Sequence, residues 1–260
     1  MHGRINSAVI VAIIQARTGS SRLPNKVLLK IKDKTLLELY VNRVRKSRLI
    51  DKIVIATTEN AGDNSIEELA KHIGIDCFRG SENDLLDRYY RCAKKYHADV
   101  VVRATPDDPF VDHEIIDRAI TIFKDSSVDF VNNHFEPTFP EGLDIEVYSI
   151  EALEKAWGEA RLLSEREHVF PYFQNHPEEF KIIVFKQAKD YSYLRWTIDY
   201  MCDYEMTRTV YDYLYEKNPV FLQDDILRLL ETHPEIMRMN NHIKRKEGVN
   251  KSKAGDEAMI

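Results

Sequence analysis

The sequence predicts an α/β protein with a doubly wound, mostly parallel sheet. Short aliphatic runs alternate with segments of helical periodicity through the first 132 residues, an order typical of parallel strands joined by helices. Residues 8–14, AVIVAII, are the clearest strand, because an unbroken run rich in β-branched residues fits burial on both faces. The alternation changes beyond residue 133, where we expect a smaller subregion.

The predicted elements follow in order along the chain. Strands are expected at 8–14, 51–57, 76–78, 99–104, 128–132, 143–148 and 181–185. Helices are expected at 35–47, 63–72, 83–96, 112–124, 149–160, 165–176, 203–217 and 223–232. The first helix opens with Thr35 and Glu38, which have the spacing of a capping box. We assign residues 1–240 to a single domain with halves at 8–132 and 133–235, followed by a charged tail at 241–260.

Composition and charge exclude several functional classes. The 260-residue chain has a net charge of −6, so it has no overall electrostatic attraction for nucleic acid. No run reaches the ~20 apolar residues that a membrane span needs. The three cysteines, Cys77, Cys92 and Cys202, have no metal-binding spacing and favour a reducing compartment. We therefore expect a cytoplasmic protein in which any phosphate binding comes from a local basic site.

A basic loop follows the first strand. Residues 15–26, QARTGSSRLPNK, carry two arginines, one lysine and three hydroxyl groups, and Gly19 would let the backbone approach an anion closely. Arginine forks match phosphate oxygens, and parallel sheets bind ligands at the carboxyl ends of their strands. The G-x-x-x-x-G-K and G-x-G-x-x-G spacings are both absent. The loop therefore predicts a phosphate site of another type, with a merely solvated basic loop as the alternative.

The segment IIQARTGSSRLPNKVL resembles the opening motif of the cytidylyltransferases that make CMP-activated sugar acids, A-R-x-x-S-x-R-L-P-x-K-x-L. It is most similar to the spore-coat polysaccharide biosynthesis branch, and keto-deoxy-octulosonate and acylneuraminate cytidylyltransferases belong to the same family. Asn25 stands where the family usually has Gly, and Asn tolerates the left-handed conformation better than most residues. The resemblance covers residues 8 to 235 and implies a Rossmann-like fold of the nucleotide-diphospho-sugar transferase type.

The resemblance implies a Mg²⁺-dependent transfer of CMP from CTP to a small anionic acceptor such as a sugar acid, with release of pyrophosphate. The implied catalytic residues are Arg17, Arg22, Lys26, Asp107 and Asp199, of which Asp107 and Asp199 would hold the metal. The implied CTP contacts are Gln15, Ala16, Arg17, Ser20, Ser21, Arg22, Lys26, Asp84, Asp87 and Arg88. The implied acceptor contacts are Asn132, Asn133, Glu141, Asp144, Glu146, Arg166 and His168. A homodimer and a role in surface glycan or polysaccharide biosynthesis are also implied.

The acidic residues among these also fit structural roles. Asp107 and Asp108 lie between two prolines, as in a turn, and Asp199 fits the N-cap of a helix for which Asp203 competes. Asp87 and Arg88 could form an exposed ion pair. Asp144 and Glu146, which alternate along a predicted strand, could lie on the polar face of a surface strand. No general base is identifiable from the sequence.

Three other functions compete with cytidylyl transfer. A glycosyltransferase that uses a nucleotide sugar commonly holds its metal with an Asp-x-Asp pair, which this chain lacks. A nucleotidyltransferase acting on a sugar phosphate or a phosphonate is another alternative. Uridylyl- and guanylyltransferases that act on sugar 1-phosphates usually open with a glycine-richer loop, which is absent here. A nucleotide-binding regulator is disfavoured by the intact pair Asp107 and Asp199.

Overall fold

The structure is a computed structural model, and it describes residues 8–243, 245 and 252–256. Its strands are β1 Ile10–Gln15, β2 Lys30–Ile31, β3 Lys34–Thr35, β4 Lys52–Thr58, β5 Asp76–Gly80, β6 Val100–Ala104, β7 Phe130–Asn132, β8 Glu146–Ser149 and β9 Ile182–Val184. Its helices are α1 Leu36–Val44, α2 Asn64–His72, α3 Leu85–Lys95, α4 His113–Asp125, α5 Ile150–Glu159, α6 Leu163–His168, α7 Phe170–Asn175, α8 Met201–Leu214, α9 Gln223–Thr232 and α10 Pro234–Met237.

Seven of these strands form one sheet in the order β5-β4-β1-β6-β8-β7-β9. β1 pairs in parallel with β4 and β6, and the pairs β4–β5 and β7–β9 are also parallel. Only β8 runs against its neighbours β6 and β7 within the described sheet. The predicted α/β fold with a mostly parallel sheet is therefore confirmed. β8 lies between β6 and β7, so a strand from the second half of the chain is paired on both edges with strands from the first half.

β1 is buried on both faces, as its sequence predicts. Val11 and Ile13 pack into one core with α3 and α5, while Ala12 and Ile14 pack into the other core with α1 and α4. Alternate side chains of a strand point to opposite faces, so each core takes every second residue of β1. This two-sided burial fixes the point at which the chain leaves the sheet after Gln15 and enters the basic loop.

Seven of the eight predicted helices are present as single helices with ends that differ by at most a few residues, and α10 was not predicted. The predicted capping box is present, since Thr35 Oγ1 accepts from the amide of Glu38 at 3.2 Å and Glu38 Oε2 accepts from the amide of Thr35 at 2.8 Å. The single helix predicted at 165–176 is wrong, because the chain breaks at Val169, where φ is 63°. Pro171 explains the break, because proline lacks an amide hydrogen and its ring clashes with the carbonyl four residues earlier.

Two further boundaries differ from the sequence prediction. The loop predicted at 15–34 contains a short 3-10 helix, Lys26–Leu28, and the small hairpin of β2 and β3. The strand predicted at 143–148 begins only at Glu146. Within the described residues, no helix combines the length and the apolar character that crossing a membrane requires.

Candidate active site

A cleft of about 740 Å³ opens beside the ends of β1 and β6. Ligands of α/β proteins bind at this edge of the sheet. The residues that were predicted for the site and line this cleft are Gln15, Ala16, Arg17, Ser20, Ser21, Arg22, Lys26, Arg88, Asp107 and His168. Five cationic side chains line it against three acidic ones, although the whole chain has a net charge of −6. This local excess of positive charge suits a polyphosphate ligand.

The basic loop is anchored from behind by Asp63. One oxygen of this buried carboxylate accepts hydrogen bonds from the amide and the hydroxyl of Thr18, both at 2.7 Å. The other oxygen accepts from the hydroxyl of Thr58 at the end of β4. Burial raises the pKa of Asp63, but these hydrogen bonds outweigh it and hold the pKa below its ordinary value. The sequence analysis missed Asp63, because an aspartate directly before a helix indicates only an N-cap.

The loop presents backbone amides as well as side chains. The N–H groups of Arg17, Gly19 and Ser21 have no hydrogen-bond partner within the part of the chain that the structure describes. The amides of Thr18 and Ser20 between them are paired, so these three N–H groups are the ones that can donate to an anion. The turn closes where the amide of Asn25 donates to the carbonyl of Thr18 at 3.0 Å, and Asn25 takes the left-handed conformation, with φ 58° and ψ 19°. Asparagine is one of the residues that adopt this left-handed conformation most readily.

Lys26 joins the two predicted metal ligands. Its Nζ donates to Asp107 Oδ2 at 2.8 Å, to Asp199 Oδ1 at 3.0 Å and to the carbonyl of Ile198 at 2.7 Å. Burial lowers the pKa of Lys26, but the two carboxylates outweigh burial and the pKa lies above its ordinary value. Burial raises the pKa of Asp199, but Lys26 and Arg22 outweigh it and that pKa lies below its ordinary value. At neutral pH the ammonium is therefore charged and Asp199 is ionised.

Backbone contacts bring the two aspartates together across 92 residues of chain. The amide of Ile198 donates to the carbonyl of Asp107 at 2.7 Å, which holds the segment before α8 against the end of β6. Asp203, in the first turn of α8, accepts from the amides of Asp199 and Tyr200 at 3.0 and 2.9 Å. Asp203 therefore caps α8, and the side chain of Asp199 remains directed to Lys26 and Arg22.

Arg195 completes the support of Asp199. Its guanidinium donates to Asp199 Oδ2 at 3.2 Å, to Asp203 Oδ1 at 3.0 Å and to Glu141 Oε2 at 2.9 Å. Glu141 was predicted to contact the acceptor, but the structure pairs it with Arg195 and does not place it in the cleft. Its contribution to the site is indirect, because it helps to fix the arginine that orients Asp199.

The two aspartates fit the Mg²⁺ ion that the resemblance implies. Oxygens of Asp107 and Asp199 lie within 3.0 Å of one ammonium nitrogen, so both carboxylates can converge on a single cation. Mg²⁺ takes oxygen ligands and commonly uses one or two protein carboxylates together with phosphate oxygens and water. The donor set and its position beside the basic loop meet that requirement.

Arg88 is a buried arginine of the cleft. It is 3% exposed, its Nη1 donates to the carbonyl of Ser81 at 3.0 Å, and its Nε has no partner within the described residues. Burial, followed by the charge of Arg17, lowers its pKa. Gly80 makes room for it, since a Cβ there would lie 3.2 Å from Arg88 Cγ. A buried guanidinium with an unpaired donor is suited to an acceptor atom on a ligand.

Asp84 and Asp87 take structural positions away from the cleft. Asp84 accepts from the amide of Asp87 at 2.8 Å as the N-cap of α3, and it also binds the guanidinium of Arg166. Asp87 accepts from Arg91 and, at 2.8 Å, from the indole of Trp157. Arg166, predicted as an acceptor contact, is thus a link between α6 and α3. None of these side chains lines the cleft of the described residues.

Arg103 lines the cleft, although it was not among the residues predicted for the site. It pairs directly with Glu146 across β6 and β8, and its Nε donates to Gln15 Oε1 at 3.2 Å. Glu146, predicted as an acceptor contact, is buried and also binds His134 and Tyr148. Burial opposes its charge, but Arg103 outweighs it and lowers the pKa of Glu146 to about 2. Glu146 therefore holds Arg103, and Arg103 faces the cleft.

The remaining acceptor-side predictions are engaged elsewhere. Asn132 Oδ1 accepts from the amides that follow β7, and Asn133 binds the carbonyl of Leu143 at 2.8 Å. Asp144 pairs with Arg245 at 3.0 Å. Of the predicted acceptor contacts, only His168 lines the cleft within the described residues. Burial, followed by the charge of Arg103, lowers the pKa of His168 to about 4, so the ring is neutral at neutral pH.

A mostly parallel sheet, a basic loop after its first strand, and two carboxylates beside that loop define the nucleotidyltransferase class. Asp107 follows β6, and Asp199 lies in the segment before α8. Residues 11–239 match the family model described as Cytidylyltransferase. The chain therefore belongs to the cytidylyltransferase family of CTP-dependent enzymes, as the resemblance predicted.

Sequence relatives agree with this assignment. The spore coat polysaccharide biosynthesis protein SpsF of Bacillus subtilis is 32% identical over 238 residues, which cover 87% of this chain and 95% of that protein. An uncharacterized protein of Methanocaldococcus jannaschii is 38% identical over 240 residues, covering 91% and 96%. A 3-deoxy-manno-octulosonate cytidylyltransferase of Bdellovibrio bacteriovorus is 34% identical over 119 residues, covering 45% and 46%.

Solved structures agree as well. A cytidylyltransferase from Leptospira borgpetersenii superposes with a TM-score of 0.87 at 36% identity, covering 92% of this chain and all of that one. The CMP:2-keto-3-deoxy-manno-octonic acid synthetase complexed with CTP has a TM-score of 0.61 at 16% identity, covering 79% and 99%, and shows the shared fold alone.

Proposed function

We propose that the protein transfers CMP from CTP to a hydroxyl group of a sugar acid or a related anionic acceptor. In this reaction the acceptor oxygen bonds to the α-phosphorus, the bond from that phosphorus to the bridging oxygen breaks, and pyrophosphate leaves while the hydroxyl loses its proton. The observation that carries the proposal is the convergence of Lys26, Asp107 and Asp199 beside a basic loop with unpaired amides. The names of two relatives support it, since one is a 3-deoxy-manno-octulosonate cytidylyltransferase and the other a spore coat polysaccharide biosynthesis protein.

Each part of the cleft has a task in this scheme. The amides of the basic loop, with Arg17 and Arg22, bind the triphosphate and balance the charge that develops on the departing pyrophosphate. Lys26 is the last residue of this loop, and its ammonium can reach a phosphate oxygen from the position it holds beside Asp107. Arg88 offers its unpaired donor to the nucleoside portion. Phosphoryl-type transfers depend mainly on this kind of positioning and charge stabilisation.

Asp107 and Asp199 would hold the Mg²⁺ ion. When bound, the ion would supply charge neutralisation on the phosphates and a fixed orientation for them. The protein's own contribution is to keep Asp199 ionised, through Arg22 and Lys26, and to hold both carboxylates toward one point, through Arg195 and Lys26.

A second chemical class of acceptor also fits the cleft. Arg103 lines the cleft, and a guanidinium binds carboxylate, phosphate and phosphonate groups alike. A nucleotidyltransferase acting on a sugar phosphate or a phosphonate is therefore the alternative. Synthesis of a surface glycan and a homodimeric state follow from the family resemblance, and a cytoplasmic location follows from the composition; all three belong to the same proposal.

The test is a matrix of nucleotides and acceptors. Pyrophosphate release is measured with each of the four NTPs plus Mg²⁺, against 3-deoxy-manno-octulosonate, an acylneuraminate, a sugar 1-phosphate and a phosphonate. We expect CTP with one of the sugar acids to give turnover and a CMP adduct of the acceptor by mass spectrometry. Turnover with another NTP in preference to CTP, or with no anionic acceptor at all, would contradict the proposal.

A further inference from the structure

The described part of the C-terminal tail, residues 252–256, forms a helical turn that packs against α6. Ser252 is 9% exposed and Asp256 is 7% exposed, so both side chains are largely buried although the tail is polar in sequence. These residues lie outside the segment 11–239 that matches the family model, so family membership assigns them no role.

The tail fixes both ends of α6. At the start of the helix, Asp256 Oδ1 accepts from the amide of Ser164 at 2.9 Å and so supplies the cap that Leu162 at the N-cap position cannot. At the other end, Ser252 Oγ lies 2.9 Å from His168 Nε2 and donates to Glu167 Oε2 at 2.6 Å. Ser252, Glu167 and His168 all line the cleft.

These contacts determine the tautomer of His168. A serine hydroxyl has one proton, and Ser252 directs it to the carboxylate of Glu167. Nε2 of His168 must therefore be the donor toward Ser252 Oγ, which leaves Nδ1 as the acceptor atom of a neutral ring. Nδ1 has no hydrogen-bond partner within the described residues. An unprotonated ring nitrogen at the wall of the cleft suits a hydroxyl donor on a ligand.

We propose that the C-terminal segment 252–256 is a positioning part of the site, in which Ser252 holds His168 as the Nε2–H tautomer so that Nδ1 accepts a hydrogen bond from a hydroxyl group of the acceptor. The acceptor in this statement rests on the proposed function, whereas the tautomer and the docking of the tail do not. Ser252 acts through His168, and Asp256 acts through α6.

The first experiment tests the tautomer of His168 and the docking of the tail separately from the proposed function. Nitrogen-15 shifts of His168 in the full-length protein report its tautomer without any substrate. We expect the Nε2–H form in the natural protein, a shift toward a mixture in Ser252→Ala, restoration in Ser252→Thr, and no change in the control Ser65→Ala. Asp256→Ala, which removes the accepting oxygen, should speed amide exchange in α6. If Ser252→Ala leaves the shifts of His168 unchanged, the inference fails even if cytidylyl transfer is established.

Kinetics then tests the link to the acceptor. With CTP and whichever acceptor of the matrix above gives turnover, Ser252→Ala should raise the KM for the acceptor about fivefold to tenfold, the loss of roughly one hydrogen bond, while the KM for CTP stays unchanged. An equal rise in both KM values would indicate a general structural effect and would overturn the assignment to the acceptor. If no acceptor supports turnover, the proposed function fails, and the tautomer measurement still decides whether the tail positions His168.

Discussion

The ammonium of Lys26 lies 2.8 Å from the carboxylate of Asp107, although 81 residues separate them in sequence. The same nitrogen lies 3.0 Å from Asp199, so one lysine of the basic loop connects the phosphate-binding and metal-binding parts of the proposed site. Without a cation between them, the two carboxylates would repel one another across a short gap of low dielectric. The arrangement makes Lys26 the cation that balances this pair in the ligand-free protein.

Replacing Lys26 with Met should make the stability of the protein depend on Mg²⁺. The variant loses a partly buried charge partner, which costs about 3 kcal/mol, and a divalent cation can then take over the balancing of both carboxylates. We expect millimolar Mg²⁺ to raise the Tm of Lys26→Met more than that of the natural protein. Lys30→Met, which removes an exposed lysine, serves as the control. An equal response to Mg²⁺ in all three proteins would show that the carboxylates do not form a cation site.

Arg22 should matter for CTP binding and Arg48 should not. Arg22 reaches Asp199 at 2.6 Å and lines the cleft, whereas Arg48 is exposed on another part of the surface. A hydrogen bond to a charged group contributes about 1.5–3 kcal/mol, so Arg22→Ala should weaken CTP binding about tenfold or more. Calorimetric titration of CTP into Arg22→Ala and Arg48→Ala measures the difference. Similar affinities in the two variants would remove the support for the basic loop as a phosphate site.

Glycine substitutions should separate fold from ligand binding. A Cβ on Gly142 would lie 2.6 Å from the backbone of Trp196, and its φ of 105° already disfavours other residues. Gly142→Ala should therefore lower the free energy of unfolding by about 3 kcal/mol. Among the described residues, a Cβ on Gly19 would meet only Glu82, at 3.5 Å. Gly19→Ala should therefore change stability by less than about 0.5 kcal/mol and yet weaken CTP binding. Denaturant titration and CTP affinity test both, and unaltered CTP affinity in Gly19→Ala would contradict the close approach of an anion.

His168 should impose a defined pH dependence on stability. Its pKa falls from the ordinary 6.5 to about 4 in the folded protein, so the unfolded chain binds more protons between these values. Its contribution is present above pH 6.5, decreases as the pH falls toward about 4, and amounts to about 3 kcal/mol at most. The difference in unfolding free energy between the natural protein and His168→Gln should shrink across this window. A constant difference from pH 7 to pH 4 would show that His168 is not held neutral by burial.

Local sequence signals were sufficient for the framework of the fold and for part of the site. The unbroken aliphatic run of β1 and the Thr35–Glu38 box are short-range features, and the structure contains both. The strand-to-loop junction placed the basic residues at the sheet edge, because parallel strands end on the same side. The break at Val169 had a local signal too, in Pro171, which a longer helical pattern obscured.

The acceptor side was harder to predict because its residues are paired over long distances. Glu146 and Arg103 bind each other across two strands, and Asp84 binds Arg166 across 82 residues, so each polar side chain has a partner that no local pattern reveals. The arginine within the run VVVRA of β6 was the available clue, since a charge in a buried strand requires a partner or a ligand. The role of Ser252 depends on the packing of a polar tail for which periodicity offered no signal.

The most direct test of the account is CTP-dependent pyrophosphate release by Asp107→Asn and by the exposed control Asp224→Asn, with Mg²⁺ and the acceptor that supports turnover. If Asp107 is a metal ligand beside the triphosphate, Asp107→Asn should lower kcat about 100-fold to 1000-fold while the Tm stays close to that of the natural protein. Asp224→Asn should retain full activity. Equal turnover in Asp107→Asn and Asp224→Asn would contradict the claim that cytidylyl transfer takes place between the basic loop and the carboxylates of Asp107 and Asp199.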